Sequence, residues 1–178
     1  PTHAWTGRTI RDEIVRDNGR DYGAMRTAEA FALDRLVLYR RVLLPARERG
    51  IHIIQERSFT SSLVYQPIQA EPVTIDELLA LPGNAFALAH APDLCIIVST
   101  EPTRAVQRIR LREKQDVAVF EKLPILEQLH ERYHASWFRE LLESHGCRIA
   151  YLDANGAVED AVHQAHVLWD ARIAAHAH

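Results

Sequence analysis

Two runs in this chain, LCIIVS (94–99) and RIAYLDA (148–154), are apolar at consecutive positions rather than at alternate ones. A strand with that pattern has no face to give to water, so it needs cover on both sides. IHIIQ (51–55) is a third, shorter β-branched run. Between and around these runs the apolar residues recur at helical spacing. Strands alternating with helices predict an α/β fold, a three-layer α/β/α sandwich around a doubly wound parallel sheet. With 178 residues the chain suits one domain over 1–178 and can bury a substantial core. Hydrophobic residues make up 47% and charged residues 25%. That is a globular composition, which excludes a disordered or low-complexity chain. No apolar run reaches the length of a membrane span. A net charge of -3 gives no reason to expect a nucleic-acid polymer or an anionic membrane as partner.

The helical segments have readable ends. A short amphipathic helix is expected from about Gly7 to Val15, and Asn18-Gly19 is a turn signal. A long helix should open at Thr27 and stop at Gly50, with Pro45 able to kink it. Residues 59–69 start a helix that Pro67 ends, and TIDELLAL (74–81) is capped by Thr74 or Asp76. Pro82-Gly83-Asn84 reads as a loop, Pro102 opens a helix, 121–145 reads as one long helix, and 157–176 as the last. Cys95 and Cys147 fall in the two apolar runs and are read as buried small hydrophobes, not a disulfide.

In a parallel sheet the ligand sits at the carboxyl ends of the strands. Glu56 and Arg57 directly follow the run at 51–55. A carboxylate there can hold a magnesium water or act as a base, and a guanidinium can grip a phosphate with two hydrogen bonds. The plainer reading is a structural ion pair. Phe31 and Arg35 lie four apart on the long helix and share a face, so together they can stack a base and hold its phosphate; the plainer reading is a core ring beside a solvated cation. Arg104, Arg108, Arg110, Arg112 and Lys114 form a basic cluster in an acidic chain. Such a cluster can clamp a polyphosphate in a lid at about 108–120. The plainer reading is a solvated helix face paired with Glu101, Glu113 and Asp116. His163 and His166 are three apart, but a surface pair is the better account than a metal site.

These segments, taken in order, resemble the thymidylate kinases, nucleoside-monophosphate kinases of the P-loop class. Pro1-Thr2 with Gly7 and Ile10-Arg11 is similar to the family's "EP…G…IR" segment. AFALDR (30–35) resembles its base-stacking helix, and QERSFTSSLVYQ (55–66) its "DR[YFH]…S…AYQ" motif. APDLCIIVSTEPTRAVQRI (91–109) resembles its "PDL" strand and following helix, and DVAVFEK…ERY (116–133) the segment after its lid. The resemblance implies an ATP-dependent kinase that converts dTMP to dTDP for deoxynucleotide synthesis. It implies Mg2+, a cytoplasmic location and a homodimer. Phe31 would stack on thymine, and Arg35 and Arg57 would hold the monophosphate. Ser61, Ser62, Tyr65 and Gln66 would line the base and sugar pocket, with the tyrosine crowding a ribose 2′-hydroxyl. Glu56 would stand near the magnesium through water, and Arg108, Arg110 and Arg112 would be lid arginines.

Two departures stand out. Glu56 and Ser58 make "ERS", as in deoxynucleoside kinases, where the glutamate acts as base on a 5′-hydroxyl; Pro1 with Trp5 and LEQLH (126–130) point the same way. A deoxynucleoside kinase is therefore one alternative, and a catalytically inactive nucleotide-binding relative is another. The second departure is the phosphate loop. No G-x-x-x-x-G-K-[ST] occurs, and the family carries that loop between its first two strands, upstream of the segment matched at Pro1. Pro1 is the first residue and Met25 the sole methionine. The expectation is that a strand–loop–helix unit, roughly 35 to roughly 40 residues by the usual size of such units, precedes this sequence.

Overall fold

Small residues decide how the first half of the chain packs. The computed structural model describes residues 2–15, 19–69, 71–111 and 122–174. They fall into two compact units, Pro1–His90 and Ala91–His178. The regular elements described in the first unit are helices: α1 (Trp5–Ile10), α2 (Gly23–Leu38), α3 (Leu44–Glu48), α4 (Phe59–Tyr65), α5 (Ile75–Ala80) and α6 (Pro82–Ala89). Helices α2 and α6 lie against each other and carry Ala28, Ala32, Gly83 and Ala87, all buried. The approach is so close that a Cβ on Gly83 would sit 1.8 Å from the Ala32 carbonyl oxygen. Phe59, Leu63 and Val64 on α4 and Leu78 on α5 complete this core, all fully buried.

The helix boundaries follow from local chemistry. Thr74 and Glu77 form a reciprocal capping box at the start of α5. Thr74 Oγ1 accepts from Glu77 N at 3.2 Å, and Glu77 Oε2 accepts from Thr74 N at 2.9 Å. Gly50 takes φ +72 and ends the long helical stretch as expected. That stretch opens earlier than Thr27, at Gly23, and is not uniform. A π-helical segment, Tyr39–Leu43, precedes Pro45, which has no N–H to continue the regular ladder. Two expectations fail here. Pro82-Gly83-Asn84 is the first turn of α6, not a loop. Leu81 is extended (ψ 127), as a residue before proline should be, and proline is preset for the first helical position. IHIIQ is not a strand. Residues 51–55 belong to no helix or strand, and Ile54 is 85% exposed. A strand is stabilised by a neighbour that takes its backbone hydrogen bonds, and no strand lies beside it among the described residues of its unit.

The second unit carries the sheet. Strand β1 (Leu94–Ser99) pairs in parallel with β2 (Arg148–Asp153), in register from Leu94 opposite Arg148 to Ser99 opposite Asp153. The fold is therefore α/β with a parallel sheet, of two strands among the described residues rather than three. Helices α7 (Pro102–Arg110), α8 (Leu123–His134) and α9 (Ser136–Glu143) lie between the strands in sequence, and α10 (Val158–Ala174) follows. Where one helix was expected over 121–145 there are two, split at Ala135 (ψ 145). Leu129 and Phe138 are nine positions apart, about half a turn out of phase on one straight helix. Both are buried, and the break resets the phase so that each reaches the core.

Cys147 is buried and Cys95 half-buried, and both are free thiols. Burial pushes Cys95 up to about 11 and Cys147 up to about 12. The folded protein therefore keeps protons that the unfolded chain releases above about pH 9. Stability from this source is full below that pH and is lost as pH rises. The denaturation midpoint should consequently fall between about pH 8 and about pH 10 more than in a double Cys→Ala variant. Gly83→Ala should cost about 1–3 kcal/mol in urea unfolding, because its methyl group meets main chain, which cannot swing aside.

Candidate functional site

Arg35 is the centre of the polar chemistry in the first unit. It sits on α2 one turn after Phe31, and its relative exposure is only 9%. Its Nη1 donates to Asn84 Oδ1 and its Nη2 donates to Ser62 Oγ at 3.1 Å. Both partners are neutral. Burial pushes the guanidinium down to about 10, partly opposed by Tyr39 and Asp34, so the group remains a cation at neutral pH. A buried cation whose hydrogen-bonded acceptors are both neutral depends on their dipoles, and on the nearby Asp34 carboxylate, to offset its lost hydration.

The neighbouring Asp34 is engaged elsewhere. Its carboxylate accepts from Thr2 N (2.7 Å), Thr2 Oγ1 (2.6 Å) and Thr6 Oγ1 (2.6 Å), tying the N-terminal segment and α1 to α2. Gly7 makes room for that segment: a Cβ there would stand 2.2 Å from the Thr2 carbonyl oxygen. Asp34 thus anchors the chain on one face of α2 while Arg35 serves another.

Helix α4 supplies the other wall. Phe59, Leu63 and Val64 bury its inner face, which leaves Ser61 and Tyr65 half-buried and turns Ser62 inward to Arg35. Gln66 follows in a single 3-10 turn, with Pro67 behind it. Its side chain is buried, and neither amide atom has a hydrogen-bond partner among the described residues. The Ser58 hydroxyl is likewise buried and unpartnered. Arg57 lies over the Tyr65 ring, 5.3 Å from its centroid. That is cation–π range. Arg57 holds φ 60, the left-handed region that a side chain of this size rarely adopts. Glu56 and Arg57 are exposed, and Phe31 is half-buried.

The structure thus joins Arg35 to Ser62 and Arg57 to Tyr65, and leaves Gln66 buried and unsatisfied in the same unit. Sequence reasoning missed Asn84, Asp34 and the Thr2–Thr6 pair. Asn84 lies in a segment that reads as a loop. Thr2 and Thr6, four apart and both short hydroxyl side chains, are a weak signal for a shared carboxylate.

In the second unit Arg108 grips backbone. It donates to the carbonyls of Ala154 (2.7 Å), Asn155 (3.4 Å) and Gly156 (2.9 Å), in the loop after β2. Glu101 N donates to Asn155 Oδ1 at 2.8 Å, and Ala154 N to Ser99 O at 2.8 Å, so the two strand-end loops are tied together. Arg104 and Arg110 are exposed on α7, while Arg112 and Lys114 lie outside the described residues. No group of three or more His, Cys, Asp or Glu able to hold a metal occurs among the described residues.

Residues 1–165 match the family model described as thymidylate kinase. The chain belongs to the thymidylate kinase family. It is 30% identical over 149 residues to the thymidylate kinase of Lactobacillus delbrueckii subsp. bulgaricus, a match covering 82% of this chain and 66% of that protein. It is 30% identical over 133 residues to a probable thymidylate kinase of Pyrobaculum calidifontis (75% of this chain, 64% of that one). With the thymidylate kinase of Clostridium novyi it shares 30% identity over 153 residues (84% and 71%). The chain therefore spans about two thirds of the length of these family members. No helix among the described residues is long and apolar enough to cross a membrane.

Arg57 holds a left-handed backbone that costs a side chain of its size about 1 kcal/mol or more. Arg57→Gly should raise stability by about 1 kcal/mol in chemical denaturation, because glycine adopts this φ without strain.

Proposed function

We propose that this protein is a dTMP kinase, transferring a phosphoryl group from ATP to the monophosphate oxygen of dTMP to give dTDP, and that the first unit forms the acceptor side. The observation that carries this reading is Arg35, a buried cation whose hydrogen-bonded partners, Asn84 and Ser62, are both neutral. A nucleoside monophosphate brings the anion that completes the arrangement; an uncharged nucleoside does not. Phe31, one turn before Arg35 on α2, stacks on the thymine. The unpartnered Gln66 amide offers a donor and an acceptor to the edge of a pyrimidine. Ser61 and Tyr65 flank the sugar. Arg57, over the Tyr65 ring, is the second cation for the phosphate.

The acceptor oxygen of a monophosphate is already ionised, so the reaction needs no strong base. Its requirements are in-line positioning and neutralisation of the charge on the transferring group. Glu56 has the exposure and the carboxylate to hold one water of a magnesium ion whose main ligands are nucleotide oxygens, the usual manner of binding for that ion. Magnesium, when bound, neutralises phosphate charge. The family resemblance gives Arg108, Arg110 and Arg112 the same task in the lid, Arg108 being the one engaged on the loop after β2. The 178 residues contain no G-x-x-x-x-G-K-[ST] loop for the donor phosphates, so the reading assigns donor binding to no residue of this sequence. A homodimer and a cytoplasmic location complete the proposal, on the resemblance alone.

Coupled assays and calorimetry on the natural full-length protein test it. Turnover of dTMP should exceed that of thymidine; faster turnover of thymidine would make the protein a deoxynucleoside kinase, and no heat with dTMP or ATP would make it an inactive relative. Arg35→Met should weaken dTMP binding by about 10- to 100-fold, the worth of one charged hydrogen-bonding group, with thymidine binding nearly unchanged.

A further inference from the structure

Arg57 is exposed, yet both its backbone and its side chain are held. The backbone is in the left-handed region, φ 60, one residue before the N-cap of α4. Gln55 Nε2 donates to the Arg57 carbonyl at 2.9 Å and braces that turn. The guanidinium lies over the Tyr65 ring, 5.3 Å from its centroid. Tyr65 is the last residue of α4. Helical side chains lean toward the N-terminus of their helix, so a ring on the last turn lies back toward the residues that precede α4. The left-handed turn at Arg57 and the lean of Tyr65 bring the two side chains together.

The contact holds the cation without using its hydrogen bonds. A ring attracts the charge of a guanidinium and accepts none of its N–H donors in the way an oxygen does. No hydrogen bond or ion pair of the Arg57 side chain occurs among the described residues, and Glu56, beside it in the chain, does not pair with it. A carboxylate partner would also fix the side chain, but it would occupy the fork of donors that a phosphate needs. An arginine left loose would keep its donors, but ordering it would then cost entropy at the moment of binding. The Tyr65 ring avoids both costs.

We propose that Tyr65 is a positioning residue for the acceptor phosphate: its ring holds the Arg57 guanidinium in place before a nucleotide arrives. The inference rests on the reading of Arg57 as a phosphate-holding residue, and it gives Tyr65 a task separate from flanking the sugar. Loss of the ring therefore falls on the phosphate part of the affinity, which dTMP has and thymidine lacks.

The test compares wild type, Tyr65→Phe, Tyr65→Leu, Arg57→Met and the Tyr65→Leu, Arg57→Met double variant in the natural full-length protein. Calorimetry with dTMP, and displacement of dTMP by thymidine, give the ratio of the two affinities, and thermal melts report folding. Tyr65→Phe keeps the ring, so its ratio should stay within about 2-fold of wild type. Tyr65→Leu should lower the preference for dTMP by about 3- to 10-fold, the worth of one long side chain ordered in advance. In the Arg57→Met background, adding Tyr65→Leu should lower it no further. The proposal is overturned if Tyr65→Leu weakens dTMP and thymidine alike, which would make Tyr65 a wall of the sugar pocket and nothing more. It is also overturned if Tyr65→Phe loses as much of the preference as Tyr65→Leu, or if Tyr65→Leu acts equally with and without Arg57. Tyr65→Met replaces Tyr65→Leu if the leucine variant does not fold; if neither folds, the ring is a strut of α4 and the proposal falls. An Arg57→Met variant with the wild-type ratio shows that Arg57 holds no phosphate, and overturns the proposal together with that assignment while the dTMP reading stands. A wild type that does not prefer dTMP to thymidine overturns the dTMP reading and the proposal with it.

Discussion

A positive charge buried without a hydrogen-bonded acid is the constraint around which the first unit is organised. Taking a guanidinium out of water is costly, and folding tolerates it only where neutral dipoles replace part of the lost hydration. Arg35 meets that condition through Asn84 and Ser62, and each is in turn held by a helix that has little freedom. Helix α4 is fixed by Phe59, Leu63 and Val64 in the core, and α6 by its main-chain contact with α2. The elements that bury the charge are thus the elements that aim it. Asp34, one residue away, shows the other solution to the same problem: a buried carboxylate met by an amide and two hydroxyls, which ties the N-terminal segment to α2.

The arginines of the second unit divide along similar lines. Arg108 spreads its hydrogen bonds over three backbone carbonyls and so fixes the loop after β2, while Arg110 faces solvent. A guanidinium engaged on carbonyls keeps its charge, since a carbonyl is a dipole and not a counter-ion. The sequence cluster read as one basic face therefore contains residues in two different situations, distinguishable only once the loop after β2 is seen folded against α7.

How much could be read beforehand depended on whether the signal was local. The apolar runs at 94–99 and 148–154 became strands because consecutive β-branched and aliphatic residues have few other uses, and their parallel pairing followed from the helices between them. The Thr74–Glu77 box and the Gly50 stop are likewise local chemistry. IHIIQ misled because strand formation is not local: three isoleucines raise β preference, but the ladder needs a neighbour. The split at Ala135 was hidden because both halves carry a helical pattern, and only the mismatch in phase between Leu129 and Phe138 betrays it. At the candidate site, motif order singled out Phe31, Arg35, Arg57 and Gln66, of which the structure buries Arg35 and Gln66 and sets Arg57 over the Tyr65 ring. Asn84 was not singled out, since a Pro-Gly-Asn string is turn-like in composition and its role arises only from a partner far away in the chain.

The seam between α2 and α6 has a consequence for how such a protein can change. Positions 28, 32, 83 and 87 are small and buried where the two helices run close, and Arg35 and Asn84 ride on the same pair. A larger residue at any of the four would shift one helix against the other and carry the guanidinium away from its acceptors. Sequence drift and directed libraries alike should therefore find these four positions closed, although the reading gives none of them a ligand to touch, while the solvent face of α2 stays open. The limits on altering what this site recognises are set in part by alanines and a glycine.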